Sequence, residues 1–305
     1  MLSLHPYPTL RSMKMKLTAA VVFACCCFTA QSQRMHVEMM AGVSNYQGDL
    51  LPILFTFKQS QPAFNINVKY QLSDHFYLRG GIGAGSIQAD DKKNRDYLKP
   101  RNLNFESQVK EINFGIEYDV FNLENIPVTP YFFSGIGVFH FNPYTHDRQG
   151  EKIFLKPLST EGQGLKEYPS RKPYQLTQAC IPLVAGIKYS PCINLQISYE
   201  FGFRKLFTDY LDDVSESYVS EEALFDNRGA KAVEISYRGD ELAGGNASYP
   251  RNSSQRGNKN EMDWYYFTGI KVSLRLGAGG ICNGNGRSWK ELSPYSKTRC
   301  PLKVY

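Results

Sequence analysis

The sequence has few of the features that mark enzymes or helical membrane proteins. Outside the N-terminus it contains no apolar run of about 18 residues, which excludes membrane-spanning helices. None of its five histidines stands in an HExxH motif, and no GxSxG motif is present. The formal charge of +6 is modest and spread along the chain, so it gives no reason to expect nucleic acid as a partner. We therefore expect no catalytic residues, no metal and no cofactor.

The aromatic residues are almost all tyrosine and phenylalanine. The chain has only two tryptophans but 20 tyrosines and 19 phenylalanines, together with 25 glycines and a mean hydropathy of −0.39. Many aromatic and glycine residues with low mean hydropathy are typical of a β-protein whose apolar residues alternate with polar ones. The composition therefore favours an all-β fold.

The N-terminus has the pattern of a targeting segment. Lys14 and Lys16 precede an apolar stretch at 17–28, and the small residues that follow predict cleavage after Ser32. Residues 1–12 have the character of an upstream extension. Cys25 as a lipoprotein cysteine is an alternative, but a bulky residue two positions before it fits that pattern poorly. We predict a signal peptide over 1–32 and an exported chain.

Strict alternation of apolar and polar residues predicts β-strands along the mature chain. The clearest case is the hairpin at 175–204, where every odd position after a Ser-Pro-Cys turn is apolar. Successive side chains of a strand point to opposite faces, so one face is apolar and the other polar. In the fourth strand Phe105 and Val109 run in the opposite phase, which predicts a bulge near Lys110. The predicted strands are 35–46, 62–72, 76–87, 105–120, 128–141, 175–189, 193–204 and 263–276.

The connections between these strands follow a regular pattern. Links after strands two, four and six are short, whereas links after strands one, three, five and seven are long. Short turns at one end and long loops at the other, with an even strand count, describe an outer-membrane barrel. We predict an all-β fold at 33–276: an eight-stranded antiparallel transmembrane β-barrel in contact with outer-membrane lipids. Aromatic residues at the strand ends predict two girdles, with Tyr70, Phe76, Tyr118, Phe121, Tyr131 and Tyr189 by the turns and Tyr46, Phe141, Tyr174, Phe207, Trp264, Tyr265 and Tyr266 by the loops.

The polar faces of the predicted strands carry charges of both signs. An eight-stranded barrel has an interior that side chains fill, and charges inside it must pair. A charge network that fills the lumen is the favoured interpretation, and a polar conduit is the alternative. The predicted inward residues are Lys69, Arg79, Glu117, Asp119, Lys188, Glu200, Arg204, Lys271 and Arg275.

Three carboxylates lie close together in the last long loop. Asp209, Asp212 and Asp213 fall in the segment TDYLDDVS at 208–215. Such a cluster is compatible with Ca²⁺, whose sites use several oxygen ligands. Aspartates in this position also cap backbone N–H groups at turns, which is the interpretation we favour.

The C-terminal tail at 277–305 is basic and contains two cysteines. Cys282 and Cys300 bracket most of it and predict a disulfide, with Cys192 as a competing partner and Cys180 as a free thiol of the barrel. Both termini are expected on the short-turn side, which places the tail in the periplasm. A docking element and an unstructured end are equally compatible with this pattern. The basic residues assigned to partner binding are Arg287, Lys290, Lys297, Arg299 and Lys303.

Four segments together resemble the PorG-like family of outer-membrane β-barrels. They are GVSNYQGDL at 42–50, TPYFFSGIGVFHFNP at 129–143, TDYLDDVS at 208–215 and WYYFTGIKVSLRL at 264–276. The third is the most specific, and it contains Asp209, Tyr210, Asp212 and Asp213. The resemblance implies an accessory component of the type IX secretion system, associated with a periplasmic ring of a lipoprotein and its partner. It assigns no catalytic residues.

Two other functions compete with this interpretation. One is a small-ligand-binding or adhesion barrel that acts through the long external loops. The other is a barrel enzyme that modifies lipids at the rim, for which the spacing of Ser, His and Asp gives no specific support.

Overall fold

The computed structural model describes residues 34–53, 56, 58–123, 125–192 and 194–277. The predicted signal peptide at 1–32 lies outside them. The described residues form ten strands and two short α-helices, joined by loops with short 3₁₀ turns. The strands are β1 (Met35–Gln47), β2 (Gln61–Gln71), β3 (Phe76–Asp90), β4 (Asn104–Asp119), β5 (Val128–His140), β6 (Tyr144–His146), β7 (Lys152–Phe154), β8 (Thr177–Cys192), β9 (Leu195–Leu206) and β10 (Trp264–Arg275), and the helices are α1 (Glu221–Arg228) and α2 (Ala230–Ser236). Neither described helix has the length and hydropathy that crossing a membrane would require.

Eight of the ten strands form a closed barrel. The order around it is β3-β2-β1-β10-β9-β8-β5-β4, and β3 pairs with β4 to complete the circle. Every neighbouring pair is antiparallel, from β1 with β10 through β3 with β4. The β6–β7 hairpin lies outside the circle and extends β4 through the pair Glu106–Tyr144. The predicted eight-stranded antiparallel barrel is confirmed.

The two ends of the barrel differ as the connections predicted. One end carries the short links at 72–75, 120–127 and 193–194, and the other carries the loops at 48–60, 91–103, 141–176 and 207–263. The backbone N–H of Leu276 donates to the carbonyl oxygen of Met35 at 2.8 Å. The first and last barrel strands therefore meet at the short-turn end.

The outer wall of the barrel is apolar around the whole circumference. Each of the eight strands places at least one large apolar side chain outward that is 56–72 % exposed: Met39, Phe64, Ile82, Ile112, Ile136, Ile187, Tyr199 and Ile270. Soluble proteins rarely expose a continuous apolar patch of this extent. This belt is the surface that a barrel presents to the hydrocarbon core of a membrane.

The predicted bulge near Lys110 is wrong. Strand β4 is continuous, and it pairs with β3 in one register from Tyr118 opposite Phe76 to Asn104 opposite Asp90. Phe105 and Val109 point inward in phase with the polar residues below them, and both are fully buried. The change from polar to apolar occurs because the interior itself becomes apolar toward the loop end.

The predicted aromatic girdle at the loop end is largely wrong for the same reason. Tyr46, Phe141, Tyr174 and Tyr265 are buried in the barrel and under its loops, and Phe139 stacks on Phe141 with ring centroids 5.5 Å apart. At the short-turn end the girdle is present, since Phe76, Tyr118, Phe121 and Tyr189 are 38–49 % exposed. Tyr131, which was placed in that group, is buried in the lumen instead.

Paired glycines allow neighbouring strands to pack closely inside this crowded interior. Gly42 lies opposite Gly269, and a Cβ added to Gly42 would lie 2.0 Å from the carbonyl oxygen of Thr268. Because that oxygen belongs to the backbone, the strand itself would have to shift. We expect Gly42→Ala to lower the free energy of unfolding by about 1–3 kcal/mol, measured by urea titration in detergent. Gly80→Ala is the control, since the nearest atom to its added Cβ is a side-chain carbon of Phe114 at 3.3 Å.

Candidate functional site

The half of the lumen nearest the short turns is filled by buried charges of both signs. Eight strands each contribute inward positions, and the side chains that meet there are four carboxylates and four cations. The carboxylates are Glu38, Glu117, Asp119 and Glu200, and the cations are Lys69, Arg79, Lys188 and Lys271. The numbers of carboxylates and cations are equal, because an unpaired charge buried away from water would be strongly destabilising.

Glu117 lies at the centre of this network. Its carboxylate oxygens lie 2.8 Å from Lys188 Nζ, 3.2 Å from Arg79 Nη1 and 3.3 Å from Lys69 Nζ. Arg79 binds Glu200 in a bidentate manner, since its Nη1 and Nη2 donate to the two carboxylate oxygens at 2.9 and 3.0 Å. Paired contacts of this kind between a guanidinium and a carboxylate define both distance and orientation. The network therefore joins β3, β4, β8 and β9 across the lumen.

A second ion pair lies above this network, toward the loops. Arg204 Nε donates to Glu111 Oε2 at 2.8 Å, and the Tyr265 hydroxyl donates to the same oxygen at 2.6 Å. Above it the interior is apolar and packs against the bases of the loops. At the opposite mouth a cavity of about 30 Å³ remains between His36, Tyr77 and Arg275, which is room for about one water molecule. Side chains thus occupy the described lumen along its length.

The predicted inward charges are found where the alternation placed them. Lys69, Glu117 and Lys271 are fully buried, and Arg275 borders the small cavity at the mouth. Sequence reasoning missed Glu38 and Glu111, although both stand in phase with inward neighbours. The signal was present in β1, where Glu38 lies between the outward residues Val37 and Met39.

The long loops form a packed cap over the open end of the barrel. We call this structure the loop cap: residues 48–60, 91–103, 141–176 and 207–263. Segment 208–215 lies at its base and contacts the first, third and fourth loops. The ring of Tyr210 stacks on Tyr174, with centroids 5.1 Å apart and planes 10° from parallel. Leu211 and Val214 are buried in the main apolar cluster.

Asp212 connects segment 208–215 to the barrel. Its Oδ2 accepts hydrogen bonds from the Tyr46 hydroxyl at 2.6 Å and from the backbone N–H of Leu50 at 3.3 Å. The same hydroxyl lies 2.9 Å from Asp263 Oδ1. A hydroxyl has one proton to donate, so two carboxylates can share it only if one of them is protonated. Burial and the nearby Asp49 raise the pKa of Asp212 to about 8.

Asp213 connects the same segment to the third loop. It accepts hydrogen bonds from the Thr160 hydroxyl at 2.5 Å and from the Tyr174 hydroxyl at 2.7 Å. Its backbone has φ +67°, and its carbonyl oxygen accepts from Arg256 Nη1 at 2.7 Å. Arg256 also pairs with Glu161 at 3.1 Å. Burial raises the pKa of Asp213 to about 6.

Asp212 and Asp213 of segment 208–215 have separate hydrogen-bond partners. Asp212 Oδ1 accepts from the backbone N–H of Val214 at 2.9 Å, which is the turn-capping contact that the sequence favoured. Asp213 instead bonds to side chains of the third loop. Burial raises the pKa of Asp209 to about 8. Within the described ranges, no group of three or more His, Cys, Asp and Glu residues is arranged to hold a metal ion.

The two cysteines of the barrel differ in oxidation state. Cys180 is a buried free thiol on the inner side of β8, as predicted. Cys192, at the short-turn end of the same strand, is disulfide-bonded, and its partner is not among the described residues. The predicted Cys282–Cys300 pair lies outside the described residues. So do the tail residues assigned to partner binding, Arg287, Lys290, Lys297, Arg299 and Lys303.

The four described histidines make unrelated contacts. His36 packs edge-on against Tyr77, and His75 Nδ1 lies 2.8 Å from the carbonyl oxygen of Asp119. His140 Nδ1 lies 2.9 Å from the Thr177 hydroxyl on the outer wall. His146 lies 3.9 Å from Glu106.

Comparison with known families gives one match to part of the chain. A family model described as a domain of unknown function (DUF6089) matches residues 15–154. No curated protein matches the chain.

Several solved structures are similar in fold at low sequence identity. Neisserial surface protein A is 10 % identical, with a TM-score of 0.38, and the match covers 79 % of this chain and 97 % of that one. The outer membrane protein OprG of Pseudomonas aeruginosa is 8 % identical, with a TM-score of 0.38 and coverage of 80 % and 98 %. A major outer membrane protein of Thermus thermophilus is 12 % identical, with a TM-score of 0.35 and coverage of 79 % and 99 %. The likeness to these proteins lies in the fold, a small closed β-barrel.

Proposed function

We propose that this protein is a structural, non-enzymatic barrel of the outer membrane that anchors a secretion apparatus through its periplasmic end. The filled lumen is the observation that carries this proposal. A barrel whose interior is filled by a balanced charge network has no open pore through which a solute could pass. Its interaction surfaces are then the lipid-facing wall, the loop cap and the short-turn end.

The apolar outer wall supports placement in the outer membrane. The apolar belt covers all eight strands, and strands of 11–16 residues are long enough for the roughly 9–11 residues that a tilted strand needs to cross the hydrocarbon. Closure of the barrel pairs the strand edges that lipid could not satisfy. The proposed orientation places the short turns in the periplasm and the loop cap outside the cell, as is usual for outer-membrane barrels.

A role in type IX secretion rests on the resemblance to the PorG-like family. In that interpretation the partners are a periplasmic ring lipoprotein and its associated protein. The segment TDYLDDVS supports the resemblance, and its position gives it a structural role at the base of the loop cap. Strand β10 finishes at the short-turn end beside the start of β1, and the tail at 277–305 follows it in the sequence. We propose that this tail contacts the ring.

Deleting 278–305 tests the periplasmic part of the proposal. We expect the barrel to insert and fold, because β10 ends at Arg275, whereas co-purification of periplasmic ring proteins from detergent-solubilised outer membranes is lost. Migration of unheated protein in SDS gels reports whether the truncated barrel is folded.

A charge variant separates the tail's basic residues from the tail itself. Substituting glutamine for Arg287, Lys290, Lys297, Arg299 and Lys303 keeps its length and its cysteines. Loss of co-purification in this variant assigns the contact to the basic side chains. Full retention in both the deletion and the charge variant would remove the tail from the proposal.

A further inference from the structure

A large cleft opens in the loop cap at the end of the barrel opposite the short turns. It has a volume of about 610 Å³ and lies between the first, second and fourth long loops. Its walls combine tyrosine rings and proline rings with amide and hydroxyl groups. A concave site of this size and mixed lining is what a small-molecule ligand requires.

The walls of the cleft are held in place by contacts between the loops. Arg101 pairs with Asp91 at 2.8 Å, and it donates to the carbonyl oxygens of Asp49 at 3.0 Å and of Arg256 at 2.5 Å. The backbone N–H of Asn258 donates to both carboxylate oxygens of Asp49 at 3.0 Å. Three loops are therefore joined around one arginine. A preformed site loses less conformational entropy when its ligand binds.

The two arginines that line the cleft are already paired with carboxylates of the protein. Arg101 is paired with Asp91, and Arg256 is paired with Glu161 at 3.1 Å. The carboxylate of Asp49 is occupied by Asn258, and Glu261 is exposed to solvent at the rim. An anionic ligand would find both lining arginines already paired and would meet the carboxylates of Asp49 and Glu261. The lining thus disfavours anions and fits a polar ligand without negative charge.

The aromatic rings of the cleft further restrict the kind of ligand that fits. Tyr97 lines it and is 66 % exposed, so its ring is accessible to a ligand. Tyr218 also lines it but is only 4 % exposed, and its ring contacts Tyr237 edge-on with centroids 6.0 Å apart. Flat aromatic faces bind the C–H faces of ring-shaped ligands, while nearby amides such as Asn246 and Gln255 provide hydrogen bonds.

We propose that this cleft is a binding site for neutral oligosaccharides. Sugars are uncharged, carry many hydroxyl groups and present C–H faces that stack on tyrosine, so they match each property of the lining. Tyr97 is the stacking platform in this proposal. The site lies at the other end of the barrel from the proposed periplasmic contact, and binding to purified protein does not depend on that contact.

Calorimetric titration of the full chain with maltotriose, chitotriose and mannotriose tests the proposal. The protein is kept in an amine-oxide detergent, because the headgroups of maltoside detergents are themselves sugars. We expect at least one trisaccharide to bind, and Tyr97→Ala to weaken that binding by roughly tenfold. Tyr97→Trp, which retains an aromatic face, is expected to bind as the parent protein does.

Phe225→Ala is the matched control, since Phe225 is a 54 % exposed ring on α1 that does not line the cleft. It should leave the affinity unchanged. No binding of any of the three sugars at millimolar concentration overturns the proposal. Equal effects of Tyr97→Ala and Phe225→Ala, or binding restricted to a sulfated sugar, would overturn it as well.

Discussion

Replacing Glu117 by alanine is expected to lower the free energy of unfolding by about 3–5 kcal/mol, the range found when one partner of a buried ion pair is removed. The Glu117 carboxylate lies within 3.6 Å of four cations: Lys69, Arg79, Lys188 and Lys271. Without it, these four cations face three carboxylates inside a lumen that excludes water. Urea unfolding in detergent, followed by tyrosine and tryptophan fluorescence, measures the loss.

Glu106→Ala is the matched control for this substitution. Glu106 lies on the same strand, but its side chain is on the outer side and 45 % exposed, where it accepts from the Tyr144 hydroxyl at 2.9 Å and lies 3.9 Å from His146. Exposed pairs contribute about 0–1 kcal/mol, so the control should unfold almost as the parent protein does. Equal stabilities of the two variants would mean that water enters the lumen and compensates the missing charge.

A second substitution tests whether charge balance, rather than Glu117 itself, stabilises the interior. Lys188 has Glu117 and Asp119 as its partners, at 2.8 and 2.6 Å. Lys188→Met removes one cation in the background of Glu117→Ala and restores equal numbers of charges. The double variant should lose less stability than the sum of the two single variants, which is the signature of residues that interact directly.

The barrel could be predicted from the sequence because two independent patterns agreed. The period of two in side-chain direction identified each strand, and the alternation of short and long links placed the strand ends. Both patterns are local, so they can be read without knowing the fold. The same local rule also placed Lys69 and Glu200 in the lumen.

The wrong predictions concern the part of the barrel where the lumen changes from charged to apolar. A bulge near Lys110 follows from the sequence only if apolar residues such as Phe105 and Val109 are assumed to face lipid. In the structure the loop end of the lumen is apolar, whereas the outer face of β4 carries Glu106, Gln108 and Lys110 there, so apolar residues mark the inside rather than the lipid face. Tyr46 and Tyr265 were misplaced in a girdle for the same reason. The phase of the strand, followed without interruption from Glu117, would have given the correct side.

The loop cap could not be predicted, because its contacts join residues far apart in the chain. Tyr46 and Asp212 are separated by 166 positions, and no local sequence pattern predicts the hydrogen bond between them. The carboxylates of segment 208–215 were visible in the sequence, but their partners were not. Only the fold shows that Asp212 contacts the barrel while Asp213 contacts the third loop.

The contacts of Asp212 make the stability of the loop cap dependent on pH. Its pKa is raised from 3.8 to about 8 in the folded protein, chiefly by burial and by the charge of Asp49, while the hydrogen bonds from Tyr46 and Val214 and the charge of Arg101 oppose the shift. The folded state therefore binds this proton more tightly than the unfolded state does. The stabilisation is complete below about pH 4 and is lost as pH rises toward 8, at a rate of at most about 1.4 kcal/mol per pH unit from this group.

Asp212→Asn separates this contribution from the other titrating groups of the protein. Asparagine has no proton to lose, so the stability of the parent protein relative to the variant should decrease as pH is raised. Hydrogen exchange of segment 208–215, compared between the two proteins at several pH values, measures the difference locally. Asp226→Asn on α1 alters an exposed carboxylate and should follow the parent protein. A difference between parent and Asp212→Asn that stays constant with pH would show that the proton shared near Tyr46 is not what holds the cap to the barrel.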